Sequence, residues 1–163
     1  MKDPAAEGKS HPPTRIGVIS DTHGQVPAAA LAVLKEVSLI IHAGDLDTAE
    51  VLEGLRRIGP TVAVRGNMDR GPWAGSLPVA DTIDVGDLRI HVRHILADAD
   101  LDPAAADIHL VVSGHTHRFE ETRQNGVVYL NPGSARLPRA GSSASMAVVT
   151  VQGTRLEIRR VDL

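Results

Sequence analysis

Ile16-Gly17-Val18-Ile19-Ser20-Asp21-Thr22-His23-Gly24 is a short apolar run that ends in chemically capable polar side chains. A continuous apolar run of this length reads as a strand buried on both faces, as in a parallel sheet. The downstream residues agree. Pro27 opens a helical stretch with Leu31, Leu34 and Val37 on one face. Leu39-Ile40-Ile41-His42 reads as a second strand. The next helix is capped by Asp47 or Thr48 and carries Val51, Leu52, Leu55 and Ile58. Gly59-Pro60 stops it before a third strand, Thr61-Val62-Ala63-Val64. This alternation predicts a parallel sheet with right-handed crossovers.

The second half has a different grammar. Ile83 to Val85 and Leu88 to Val92 flank Gly86-Asp87, a hairpin signal. Ile108 to Val112 reads as a buried strand. Arg123-Gln124-Asn125-Gly126 reads as a turn between two more, the second running from Val127 to Leu130. A last hairpin pairs Ala147 to Val151 with Leu156 to Val161 around Gln152-Gly153. The C-terminal half is therefore expected to be rich in antiparallel strands. Met1 to Pro13 shows no apolar periodicity and reads as a disordered tail. The expected division is a tail over 1–14 and a single domain over 15–163.

At 163 residues the chain suits one domain with one core. Aromatics make up only 2%, so Val, Leu, Ile and Ala must fill that core. The net charge of −3 argues against nucleic acid as a partner, because phosphate binding needs a basic surplus. No apolar run is long enough for a membrane span. The N-terminus lacks the apolar core of a secretory signal. There is no cysteine, so a metal would have to bind through His nitrogen and carboxylate or amide oxygen. A cytoplasmic location is the default expectation for such a chain.

The polar residues concentrate just after strands. Asp21 and His23 follow the first, Asp45 the second, and Asn67 and Asp69 the third. His94 follows the Leu88 strand, and His115 and His117 follow the Ile108 strand. Sites in open α/β sheets form outside the carboxyl ends of strands. The pairs Asp21/His23 and His115/His117 are spaced i, i+2, which turns both side chains the same way in extended chain. The glycines at 24, 44, 66 and 114 allow tight turns and close backbone approach. The carboxylates, amide and imidazoles are too many for one ion and enough for two, with Asp45 able to bridge and a hydroxide shared. Two ions about 3.5–4 Å apart stabilise both attacking and leaving oxygens of an in-line phosphoryl displacement. The mixed N/O set suits Mn, Fe, Zn or Ni better than Ca or Mg. His42 reads as a packing histidine, His91 as pointing to the strand face opposite His94, and His11 and His109 as solvated. Trp73 and Leu77 fit the lining of a substrate cleft or a packing role.

The order Asp-x-His, Gly-Asp, Gly-Asn-x-Asp, His, Gly-His-Thr-His resembles that of the calcineurin-like metallophosphoesterases, most of all their small bacterial and archaeal phosphodiesterase branch. The likeness runs from Ile16 through Asn131-Pro132-Gly133-Ser134. It implies a four-layer α/β/β/α sandwich of two mixed sheets flanked by helices. It implies a first ion on Asp21, His23 and His117, a second on Asn67, His94 and His115, and Asp45 as the bridge. Two divalent transition-metal ions, Mn first among them, would hydrolyse a small phosphodiester substrate. Asn67 and Asp69 are the candidate catalytic residues. The Asn131–Ser134 loop, with Pro138-Arg139 after it, would buttress the site, and Ser134 would face the substrate phosphate. Two departures from the pattern bear on mechanism. Met68 stands where the family carries His or Cys as a proton donor. His94-Ile95-Leu96 replaces His-Gly-His. Asp69 is then the candidate substitute acid, and a non-catalytic scaffold of the same fold, like the retromer-type subunit, is the alternative reading.

Overall fold

The computed structural model describes residues 12–163. Most of the expected tail, His11 included, lies outside the described residues; Thr14 already belongs to the first strand. The chain runs β1 (Thr14–Ile19), α1 (Ala28–Leu34), β2 (Leu39–His42), α2 (Ala49–Ile58), β3 (Thr61–Ala63), β4 (Ala80–Val85) and β5 (Leu88–Arg93). It continues through β6 (Leu110–Val112), β7 (Phe119–Gln124), β8 (Val127–Pro132), β9 (Ser145–Gln152) and β10 (Arg155–Asp162).

Two five-stranded mixed sheets result, ordered β10-β9-β1-β2-β3 and β4-β5-β6-β8-β7. In the first, β1, β2 and β3 pair in parallel, as the βαβ pattern requires, and the β9–β10 hairpin closes one side. The second is less antiparallel than expected. Its centre, β5-β6-β8, is parallel, and only the edge strands β4 and β7 run against it. The hairpin turns were legible, but nothing local reveals that β6 inserts between β5 and β8.

The sheets pack face to face. Ile16, Val18 and Ile41 of the first meet Leu88, Ile90, Val92, Leu110, Val112 and Leu130 of the second. The other face of the first sheet (Ile19, Ile40, Ala63, Met146) lies under Leu34 of α1 and Val51, Leu52 and Leu55 of α2. Helix α1 ends at Leu34, so Val37 packs on this core from beyond the helix. Trp73 and Leu77 join the same cluster, which gives them packing roles.

The fourth layer is thin. The outer face of the second sheet carries Ile108, Val111, Val127, Leu101 and Tyr129. The chain between β5 and β6 crosses it with a single 3₁₀ turn at Leu96–Asp98. Among the described residues no α-helix stands there, so both helices flank the first sheet.

Candidate metal centre

The carboxyl ends of β1, β2, β3, β5 and β6 meet at one edge, where the two sheets come together. Each strand ends and its next few residues turn inward. The turning is unusual. Asp21, His23, Asp45, Asp47, His115 and His117 all have positive φ, between 44° and 73°. Such conformations cost of order 1–3 kcal/mol each in a non-glycine residue and persist where the surroundings over-determine them. The only other such residues among those described are Asp107 and Asn125, both in turns. Two glycines make the approach possible. A Cβ on Gly66 would overlap the Asp45 carboxylate, and one on Gly114 would overlap the Ser20 hydroxyl and approach Asp21.

Three imidazoles are oriented by their Nδ1 atoms. His94 Nδ1 lies 2.7 Å from the Ala43 carbonyl, and His117 Nδ1 lies 2.6 Å from the Leu137 carbonyl. His23 Nδ1 lies 3.1 Å from Asp47 Oδ2. Each acceptor requires an N–H on Nδ1, which leaves Nε2 of the neutral ring a bare lone pair. All three Nε2 atoms point to the same place. His117 Nε2 is 3.1 Å from Asp21 Oδ1 and 3.2 Å from His23 Nε2. His94 Nε2 is 3.2 Å from Asp45 Oδ2, 3.0 Å from Asn67 Oδ1 and 3.9 Å from Asp21 Oδ1. His115 Nδ1 is 3.1 Å from Asn67 Oδ1.

Where His23, His94 and His117 meet Asp21, Asp45 and one another, acceptor faces acceptor. Asp21 Oδ1 is buried and has no hydrogen-bond donor. Its partner Oδ2 takes the Ser20 hydroxyl at 2.6 Å and the His115 N–H at 3.1 Å. A buried, unpaired carboxylate oxygen is costly unless a cation meets it. Cations between these lone pairs remove the conflict, and the donor set of imidazole, carboxylate and amide suits divalent transition metals. The residues present therefore fit metal. Two groups offer ligand atoms close enough to share an ion: Asp21, His23, His117 and Asp21, Asp45, His94. Asn67 and His115 adjoin the second.

The charges respond to the same crowding. Burial raises the Asp21 carboxyl above its usual range, only partly offset by the Ser20 hydroxyl and the nearby imidazoles. Burial also works against ionised Asp45 and His94. For that pair the ionised state prevails when no cation is bound: a His94 protonated at Nε2 as well would donate to Asp45, and this bond and the paired charges lower Asp45 and raise His94.

Two expected roles change. Ser134 is fully buried; its hydroxyl donates to the Asp21 carbonyl at 2.8 Å and accepts the Leu137 N–H at 2.8 Å. It cannot face a substrate phosphate, and it braces β1's end instead. The Asp69 carboxylate accepts backbone N–H groups from Asp45 (3.0 Å), Asp47 (2.8 Å) and Gly66 (2.7 Å). With both oxygens so occupied it serves as a brace, and not as a substitute acid. Asp69→Asn would set an NH₂ against backbone donors; the expected result is about 10- to 100-fold weaker metal binding, read by calorimetric titration. Unchanged affinity would refute the brace. Asn131 does buttress the site: its amide donates to the Gly114 carbonyl at 2.8 Å and Thr116 Oγ1 at 3.0 Å.

Groups that the sequence does not mark for the site complete the surround, among them Asp47, read there only as a helix cap. Asp47 and the carbonyls of Ala43 and Leu137 orient the histidines, and Arg136 donates to the His23 carbonyl. Backbone acceptors leave no mark in a sequence.

His42 is a packing histidine, as expected. Burial first, and the nearby His94 second, push it down to about 3. Gly44 N–H donates to its Nδ1 at 3.1 Å, so the ring proton sits on Nε2, 3.0 Å from Thr22 Oγ1. The unfolded chain takes up this proton near 6.5, the folded chain only near 3. Stability from this group is thus lost as pH falls through that window, by up to about 1.4 kcal/mol per pH unit. Urea titrations of His42→Gln should show a flatter pH slope there than wild type; equal slopes would contradict this.

A sequence profile of the Calcineurin-like phosphoesterase superfamily domain matches residues 14–154. The chain belongs to this superfamily. A phosphoesterase relative from Methanothermobacter thermautotrophicus, named a probable metallophosphoesterase, is 32% identical over 156 residues, covering 87% of this chain and 88% of its own. Among solved structures, Vps29 of Chaetomium thermophilum superposes with a TM-score of 0.75 at 23% identity, covering 91% of this chain and 97% of that one. An archaeal phosphodiesterase gives 0.73 at 20% identity, covering 91% and 99%. These two likenesses establish the fold of the phosphoesterase domain.

Proposed function

We propose that this metallophosphoesterase hydrolyses small phosphodiesters with two divalent transition-metal ions, manganese foremost, in a cytoplasmic setting. The observation that carries the reading is the buried Asp21 Oδ1, unpaired and ringed by the Nε2 lone pairs of His117, His23 and His94. Asp21, His23 and His117 would hold one ion, Asn67, His94 and His115 the other, and Asp45 would bridge. When bound, the ions supply charge neutralisation and an activated nucleophile.

The chain's own groups do the rest. Carbonyls of Ala43 and Leu137 lock two imidazoles with Nε2 inward, so little reorganisation accompanies binding. The Asp69 brace holds the loops after β2 and β3 at one spacing. Met68 is 45% exposed at the rim and has no proton to give. The leaving oxygen therefore departs without side-chain protonation from this position.

Met68 also favours a second reading, a metal-binding scaffold of the same fold without catalysis. Hydrolysis of bis(p-nitrophenyl) phosphate separates the two. Metal-stripped protein should be inert, and added Mn²⁺ should restore a rate far above the metal-only blank. No restored rate, with metal still bound, would leave the scaffold.

A further inference from the structure

Two cavities flank the candidate centre, and they differ in character. The one beside Asn67 and His94 measures about 200 Å³ and includes Arg65, Arg93 and Asp98. The one beside His115 measures about 370 Å³ and lies against the outer face of the second sheet. Its wall is Ile95-Leu96-Ala97, the segment where the family pattern is lost, and Tyr129 forms part of its lining. The thin fourth layer leaves this space open. Leu96 is 41% exposed although aliphatic, which marks a wall with nothing yet packed on it.

We propose that this larger cavity is the subsite for an uncharged aromatic arm of the phosphodiester, of nucleobase size. The proposal rests on the phosphodiesterase reading and names its substrate class. The volume falls in the ordinary range for small-molecule sites, about 300–1,000 Å³. His115 belongs both to the cavity lining and to the candidate ligand set, so an ester arm leaving the scissile phosphorus reaches the cavity directly. The lining supplies one aromatic side chain, Tyr129, and the exposed aliphatic Leu96, the residue types that hold an aromatic ring. Glu120 at the same cavity would repel a carboxylate or a further phosphate. The Asn131 amide, also in the lining, is already spent on Gly114 and Thr116, so apolar contact dominates there.

The test uses two non-hydrolysable probes on zinc-loaded protein, phenylphosphonate and methylphosphonate, with dissociation constants from amide NMR shifts. Wild type should bind the phenyl compound about tenfold more tightly. Thr122→Trp, an exposed β7 position that lines the cavity, should fill it and cut that preference to about twofold or less, with methylphosphonate affinity unchanged. Leu96→Asp should do the same by polarity. Equal affinity of both probes in wild type overturns the subsite and leaves the metal reading standing. A preference that survives both variants places the ring elsewhere and also overturns it. Failure of both probes to bind overturns the subsite together with the phosphodiesterase reading.

Discussion

Asp45→Asn is expected to lower phosphodiester turnover by about a thousandfold or more while leaving the fold intact. The two carboxylate oxygens of Asp45 have different duties. Oδ1 accepts the Met68 N–H at 2.8 Å, and Oδ2 faces His94 Nε2 at 3.2 Å. An asparagine must keep its oxygen toward Met68 N–H, which puts its NH₂ group toward the metal position. A donor then replaces an acceptor, and one unit of negative charge is lost between the two proposed ions. Size is conserved and the surrounding loops are held independently by Asp69, so thermal unfolding should change little. Wild-type turnover by a folded Asp45→Asn variant would contradict the bridging role.

The second large effect concerns the leaving group. General acid catalysis is worth roughly 10²- to 10⁴-fold. Met68 removes that help at the position next to Asp45, so a poor leaving group such as an alkoxide should leave slowly and nitrophenolate much faster. Met68→His should raise turnover of an alkyl diester about a hundredfold and change the aryl diester little. The substitution is structurally mild, because the Met68 side chain is exposed and its backbone N–H makes the bond to Asp45. Similar wild-type rates on alkyl and aryl diesters, or equal responses of both to Met68→His, would contradict this account.

The elements legible in advance are those with local signals. Strands β1, β2, β8 and β9 announce themselves because both their faces are apolar, and Asn125-Gly126 announces its turn because both residues adopt positive φ there. The turn of the last hairpin is legible to within one residue: Gln152 pairs with Arg155, so Gly153-Thr154 make it. The insertion of β6 between β5 and β8 depends on contacts distant in sequence, and no periodicity encodes it.

The site divides in the same way. Asp21, His23, Asp45, Asn67, His94, His115 and His117 stood out because each comes just after a strand, and the fold brings all seven together. The sequence does not reveal that Ser134 and Asp69 are braces, because a short polar side chain near a site looks the same whether it faces solvent or backbone groups. Only burial and partners distinguish the two. The positive φ values of Asp21, His23, Asp45, His115 and His117 are not legible either, since residue type predicts that conformation firmly only for glycine and weakly for asparagine, aspartate and histidine.

The most direct test of the central claim is anomalous diffraction from crystals of the metal-stripped protein soaked in Mn²⁺. The account predicts two peaks about 3.5–4 Å apart, one against Asp21, His23 and His117, the other against Asn67, His94 and His115, with Asp45 touching both. A single peak, or peaks away from these residues, would contradict it.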